Sequence, residues 1–330
     1  MPAIIECVPN FSEGRDRHVI DQITSVITPI EGVQLLDVDP GEATNRTVVT
    51  FAGTPEGVLE AAFQAIRRAS ELIDMRRQHG AHPRMGATDV CPFVPVSGVT
   101  MDDCVELARR LGERVGAELG FPIYLYEYAA SRPERKNLAN CRLGEYEGLA
   151  SRVGDPKWTP DFGPHTFNAK SGATAIGARD FLIAWNINLN TRNTKLASRI
   201  ANRLRERGYG QRDAQGKFLR DENSKVILVP GLFEGVKAVG WFIDEYDLAQ
   251  VSINVTKYKE TPLQDIFDAA VELGLEFGVR VTGSELVGLI PLEAMLAAGR
   301  HYLEKQGGIT GASETDLIRM AILSLGLDQL

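Results

Sequence analysis

The sequence predicts an α/β (α+β) protein of two ferredoxin-like βαββαβ subdomains, with stacked sheets and helices on the outer faces. Three observations carry this. Strand and helix signals run in the order β-α-β-β-α-β from Ala3 to Val96, the split βαβ pattern, and the same order returns from Phe181 to Thr282. The chain has 330 residues and 44% hydrophobic content, enough for two cores of about 150 residues each. The boundaries drawn from this are 1–178 and 179–330.

Ala3 to Val8 reads as a strand, not as the basic-then-apolar start of a signal peptide. Pro9-Asn10-Phe11-Ser12-Glu13-Gly14 is a turn cluster, after which Val19, Ile20, Ile23, Val26 and Ile27 recur at helical spacing. Val33 to Asp39 is a buried strand, Pro40-Gly41 a turn, and Thr47 to Ala52 a β-branched strand. Thr54-Pro55 starts a helix whose apolar face is Val58, Ala61, Ala62, Ala65, Ala69 and Leu72. Asp89 to Val96 carries Pro92 and Pro95, which predicts an edge or bulged strand. Thr100-x-x-Asp103 caps a helix reaching about Leu119, and Ile123 to Tyr126 is a short strand.

Residues 130 to 178 look irregular, a length of loop that is usually functional or a linker. Phe181 to Leu189 is again a strand, Thr194 to Arg207 an amphipathic basic helix, and Gly208 to Ser224 a polar, exposed loop. Val236 to Ile243 and Leu248 to Val255 pair around Asp-Glu-Tyr-Asp. Thr261-Pro262 opens a helix, and Val279 to Thr282 is a strand. Pro291 to Lys305 and Ser313 to Leu325 close the chain as helices. In each half helices would cover one sheet face, and the other two faces would meet around a ligand cleft.

A formal net charge of −8 argues against general nucleic-acid binding. No apolar run approaches the roughly 20 residues that span a bilayer. Cys7, Cys91, Cys104 and Cys141 are scattered, as buried thiols in a reducing cytoplasm would be.

The candidate chemistry centres on Gly80-Ala-His-Pro-Arg-Met-Gly-Ala-Thr-Asp89. Glycines and Pro83 make this a poor helix and a good fixed loop for His82. A structural histidine bonded to a carbonyl is the plain alternative. A metal pair of His79 and His82 with Asp89 would need a continuous helix, which Gly80 and Pro83 oppose. As a general acid or base, His82 would titrate near neutrality and would need an orienting carboxylate. Asp37, Asp39 and Asp89 all lie at strand ends, and Asp39 is favoured because a Pro-Gly turn follows it. Asn45-Arg46 opens the next strand, so Arg46, like Arg84, is either a solvated charge or a carboxylate clamp. Gly163-Pro-His-Thr-Phe-Asn-Ala-Lys-Ser-Gly172 is a linker or a ligand loop, offering Phe167 to a flat ring and Lys170 or backbone amides to an anion. No Walker or dinucleotide fingerprint occurs.

Several of these stretches together resemble the formiminotransferase family: Glu6-Cys-Val-Pro-Asn-Phe-Ser-Glu-Gly14, Asp37-Val-Asp-Pro-Gly41, Asn45-Arg-Thr-Val-Val-Thr-Phe51 and His82-Pro-Arg-Met-Gly-Ala-Thr-Asp-Val-Cys-Pro-Phe93. Asp161-Phe-Gly-Pro164, Gly172-Ala-Thr-Ala-Ile-Gly-Ala-Arg179 and Leu325-Gly-Leu-Asp328 extend the likeness over nearly the whole chain.

The resemblance implies transfer of a formimino group from N-formiminoglutamate to N5 of tetrahydrofolate, a one-carbon step in histidine degradation. It puts the family's catalytic histidine on His82, with Asp39 orienting it or supporting the imidazolium. The family's folate-binding stretch falls on Gly163, Pro164, His165, Thr166, Phe167, Asn168, Ala169, Lys170, Ser171 and Gly172. Asn45, Arg46 and Arg84 are then expected at the other substrate. Tetrahydrofolate, with or without a polyglutamate tail, is the co-substrate, and no metal is expected. The resemblance also implies a cytoplasmic homodimer and a cyclodeaminase as candidate partner. Two alternatives stay open: N-formylglutamate as donor, and a non-catalytic folate-binding subunit.

Overall fold

A computed structural model describes residues 2–308 and 311–327. The chain divides into two compact units, Met1–Asp180 and Phe181–Leu330. The closing Leu-Gly-Leu-Asp stretch runs into residues 328–330, outside the described residues.

Among the described residues, the strands of unit 1 are β1 (Ile4–Cys7), β2 (Asn10–Phe11), β3 (Val33–Gly41), β4 (Arg46–Gly53), β5 (Thr88–Ser97), β6 (Ile123–Glu127) and β7 (Thr174–Ala178). They form one sheet. β1 and β2 share one track between β4 and β5, β3 lies outside β4, and β7 then β6 extend the sheet beyond β5. The order β3-β4-β1-β5 is that of the split βαβ motif; β7 and β6 add to it in parallel.

Helices α1 (Arg17–Thr24), α2 (Pro55–Leu72) and α3 (Met101–Glu118) pack on one face. Their starts are local chemistry: Asp16 accepts from His18 and Val19, Thr54 accepts from Gly57, and Thr100 with Asp103 closes a capping box. The strand period of two sorts the core. Cys91, Phe93, Ile123, Leu125, Ile176 and Ala178 face those helices. Val90, Tyr124, Tyr126 and Ala175 face the other way, against Cys141 of α4 (Leu138–Cys141) and Leu149 of α5 (Glu145–Arg152).

Two sequence expectations need correction here. β5 is bulged, as its prolines predict, with Val96 extra opposite β1 and Asp89 extra opposite β2, but it is not an edge strand, since it is paired on both sides. Its prolines are accommodated because the neighbouring track is irregular: it breaks between β1 and β2, where the Val8 N–H donates to the Pro92 carbonyl (3.2 Å), and β1 shifts register opposite Pro95. The stretch to residue 178 is also more regular than its composition suggests. It holds α4 and α5 and ends in β7, an interior strand whose Thr-Ala-Ile-Gly-Ala run is too poor in bulky residues to announce itself.

In unit 2, β8 (Ile183–Leu189) is followed by α6 (Thr194–Leu204) and by β9 (Tyr209–Gly210), inside the stretch expected to be loop, which pairs with β10 (Leu228–Val229) just beyond it. β11 (Val236–Ile243) and β12 (Leu248–Val255) form the expected hairpin, then come α7 (Leu263–Glu276) and β13 (Val281–Val287). The sheet order β11-β12-β8-β13 repeats that of unit 1. α8 (Leu292–Lys305) and α9 (Glu314–Ser324) complete the unit, the latter entered through a Ser313–Asp316 capping box.

Candidate active site

The His82 loop connects α2 to β5 and is tied down along its length. Ala81 N–H donates to the Ala43 carbonyl (3.3 Å), the Gln78 amide to the Asn45 carbonyl (2.9 Å), and the Asn45 amide to the His79 carbonyl (2.8 Å). The β3–β4 turn is thus strapped to this loop. Gly80 is required there, because a Cβ would stand 2.1 Å from the Thr44 carbonyl oxygen. Beyond His82, the Met85 N–H donates to Asp89 Oδ1 (3.0 Å) and the Ala87 N–H to the Ser171 carbonyl (2.9 Å).

His82 is half-buried, and its Nδ1 is buried without a hydrogen-bond partner. Burial drives its pKa well below the usual 6.5, and the Arg46 and Arg142 charges push the same way. A hydrogen bond between the ring and the Pro83 backbone opposes these effects without outweighing them, so the neutral ring is favoured. Arg46 donates through Nη1 to Asn10, while its Nε is buried and unpartnered. Burial and the nearby Arg142 lower its pKa to about 10, against the opposing pull of Asp89 and Asp39, so it stays charged at neutral pH. Asp89 is fully buried and holds Arg142 side-on, through Nη2 and, at 3.4 Å, Nε.

The expected residues divide into groups. The Arg46 charge bears on His82 and the Asp89 charge on Arg46; in sequence Asp89 offers itself only as a third metal ligand or a second-choice orienting carboxylate. Asp39 stands on β3 opposite Val48, near the point where Gly41 faces Arg46, and its charge bears on Arg46. His82 Nδ1 has no hydrogen-bond partner here, so this structure shows Asp39 acting on Arg46 and not on that nitrogen. Arg84 is corrected from clamp to brace: five hydrogen bonds, to the Gln78 side chain and carbonyl and to Glu145 and Glu147, occupy a group that has five N–H donors. Asn45 is a brace too, with Oδ1 accepting from the Gly14 N–H (3.0 Å) and its amide bonded to His79. Arg142 was missed. It lies at the end of α4, and its partnership with Asp89 is tertiary.

The Gly163–Gly172 segment adjoins the same loop. Gly172 bridges Gly86, and the Ala173 N–H donates to the Met85 carbonyl (3.0 Å). Asn168 Oδ1 accepts from the Lys170 and Ser171 N–H groups, a local turn, and Lys170 Nζ donates to the Glu71 carbonyl (2.8 Å). Phe167 is half-buried with its ring centroid 5.5 Å from that of Tyr146, whose hydroxyl donates to the Ala169 carbonyl. His165 and Thr166 are exposed. Among the described residues no group of three or more His, Cys, Asp or Glu side chains is arranged to hold a metal.

Gly172 has φ +68°, and a Cβ there would lie 2.2 Å from the Met85 carbonyl oxygen. Gly172→Ala is expected to cost about 1–2 kcal/mol from backbone conformation alone, with the clash added. A fall in urea midpoint together with reduced turnover would bear this out; unchanged stability would mean the two loops do not meet so closely.

Comparison with known proteins places these features in a family context. Residues 4–179 match the family model "Formiminotransferase domain, N-terminal subdomain", and residues 184–330 match "Formiminotransferase domain". The chain is 47% identical over 330 residues to the formimidoyltransferase-cyclodeaminase of Sus scrofa and 46% identical over 328 residues to that of Dictyostelium discoideum. These alignments cover 100% and 99% of this chain, but only 58% of either relative. It is 40% identical to the glutamate formimidoyltransferase of Streptococcus pyogenes serotype M1 over 304 residues, 92% of this chain and 94% of the relative. The glutamate formimidoyltransferase of Thermoplasma acidophilum is likewise 40% identical, over 307 residues and the same shares.

Proposed function

We propose, from the premise that this chain belongs to the formiminotransferase family, that it is a glutamate formimidoyltransferase moving the formimino group of N-formiminoglutamate to N5 of tetrahydrofolate. The observation that carries the reading is the His82 loop itself, joined to Gly163–Gly172 through Gly86 and Ala87, with burial and the Arg46 and Arg142 charges holding the imidazole pKa down.

In the reaction, N5 attacks the amidine carbon, a new N–C bond forms, and the old bond to the glutamate nitrogen breaks. N5 must lose a proton and the leaving nitrogen must gain one. His82 takes the first and returns it to the second. Two adjacent guanidinium groups make the imidazolium a stronger acid than an isolated one, which favours the return. Arg46 binds a carboxylate of the donor with its unpartnered Nε, and the bound anion offsets its repulsion of the protonated ring. Asp39 contributes a second negative charge near Arg46. Residues Gly163 to Gly172 hold the folate, with Phe167 offered to the flat ring system. The reading includes a cytoplasmic homodimer, and a cyclodeaminase, fused or separate, as the activity that takes the product.

Purified protein should convert tetrahydrofolate in the presence of N-formiminoglutamate, and prefer that donor to N-formylglutamate. Preference for the formyl donor would reassign the substrate. Tight folate binding without turnover of either donor would leave a binding subunit and end the enzymatic reading.

A further inference from the structure

We propose that Arg142 is a second carboxylate ligand for the donor, so that Arg46 and Arg142 together select an amino acid bearing two carboxylates. The inference deepens the formiminotransferase reading and rests on it. Arg142 is fixed in place: its side chain is 17% exposed and pairs with both oxygens of Asp89, which is wholly buried and whose Oδ1 also accepts from the Met85 N–H of the His82 loop. That pairing engages Nε and Nη2 and leaves Nη1 without a partner among the described residues.

Arg46 is in a matching state, with Nη1 on Asn10 and Nε unpartnered. Arg84, in the same loop, has no donor to spare. Buried Arg135 and Arg152 also have unpartnered nitrogens, but the arginines whose charges bear on His82 are Arg46 and Arg142, and both keep donors that the fold does not use. Their charges oppose each other, since each group disfavours a neighbouring cation. An arriving pair of carboxylates relieves that repulsion and supplies the missing acceptors. A donor with one carboxylate fills only one of the two.

The test uses the full-length protein and three donors: N-formiminoglutamate, the 2-aminobutyrate analogue lacking the side-chain carboxylate, and the 4-aminobutyrate analogue lacking the α-carboxylate. The wild type should prefer the dicarboxylate in kcat/KM by roughly 10- to 100-fold over each analogue, the range for a lost charge-assisted bond. Arg142→Gln should raise KM for N-formiminoglutamate by a similar factor and erase the preference over one analogue while keeping it over the other. Arg142→Lys keeps a cation for Asp89, loses the planar fork, and should fall between. It also decides the matter if the glutamine variant does not fold. Losses that simply multiply, with both preferences intact in the lysine variant, would overturn the proposal while sparing the parent reading. A wild type that turns over no N-formiminoglutamate overturns both.

Discussion

His82→Ala should lower kcat by about 10²- to 10⁴-fold, the usual contribution of a positioned acid/base group, with little change in stability. The two halves of that expectation have separate origins. In the proposed reaction, proton transfer between N5 and the departing amine would fall to His82, the half-buried imidazole of this loop. Stability should change little because Nδ1 has no partner to lose, and the hydrogen bond to the Pro83 backbone is one of net worth about 1 kcal/mol. A variant that retained wild-type kcat would remove His82 from the mechanism.

The pH profile carries a second check. With the folded pKa below 6.5, kcat/KM should stay level as pH falls through 6.5 and decline only further down. Linkage gives the sign for stability. Below 6.5 the unfolded chain binds a proton at His82 that the folded chain resists, so wild-type stability falls with pH there, and His82→Ala should lose less over the same window.

Much of this site was legible for a local reason. Gly80 and Pro83 flank His82 and forbid a helix, so a fixed loop could be read from adjacent letters. The same holds for the caps at Thr54, Thr100 and Ser313, where one side chain and a backbone N–H two or three residues on decide the helix start. What failed to be legible depended on distant partners. Arg84 and Arg46 look alike in sequence, and only the Gln78, Glu145 and Glu147 contacts show that the first is already saturated. Arg142 stands 53 positions from Asp89, in a stretch without clear periodicity. The prolines of β5 rightly marked a bulge, but that the strand is interior was not legible, because their tolerance there depends on a break in the strand alongside, a property of residues more than 80 positions earlier, Val8 to Pro92 being one such pair.

Asp89 should be the most stability-critical of these side chains. Its carboxylate is fully buried, and it performs two tasks: one oxygen holds the Met85 N–H and both meet Arg142. Asp89→Asn preserves shape and can still accept from Met85, but it removes the counter-charge of a largely buried guanidinium that already faces Arg46. Breaking a buried pair from one side costs about 3–5 kcal/mol, so a clear drop in urea midpoint should follow. Activity should fall as well, since Arg142 would be free to leave the His82 loop. Adding Arg142→Gln to Asp89→Asn separates the causes. If the penalty is an uncompensated charge, the double variant should regain part of the lost stability, because no buried cation is then left without its partner. It should not regain activity, because the second guanidinium is still missing. Stability losses that add without recovery would locate the cost in packing or in the Met85 bond instead, and would detach Asp89 from the electrostatics of the site.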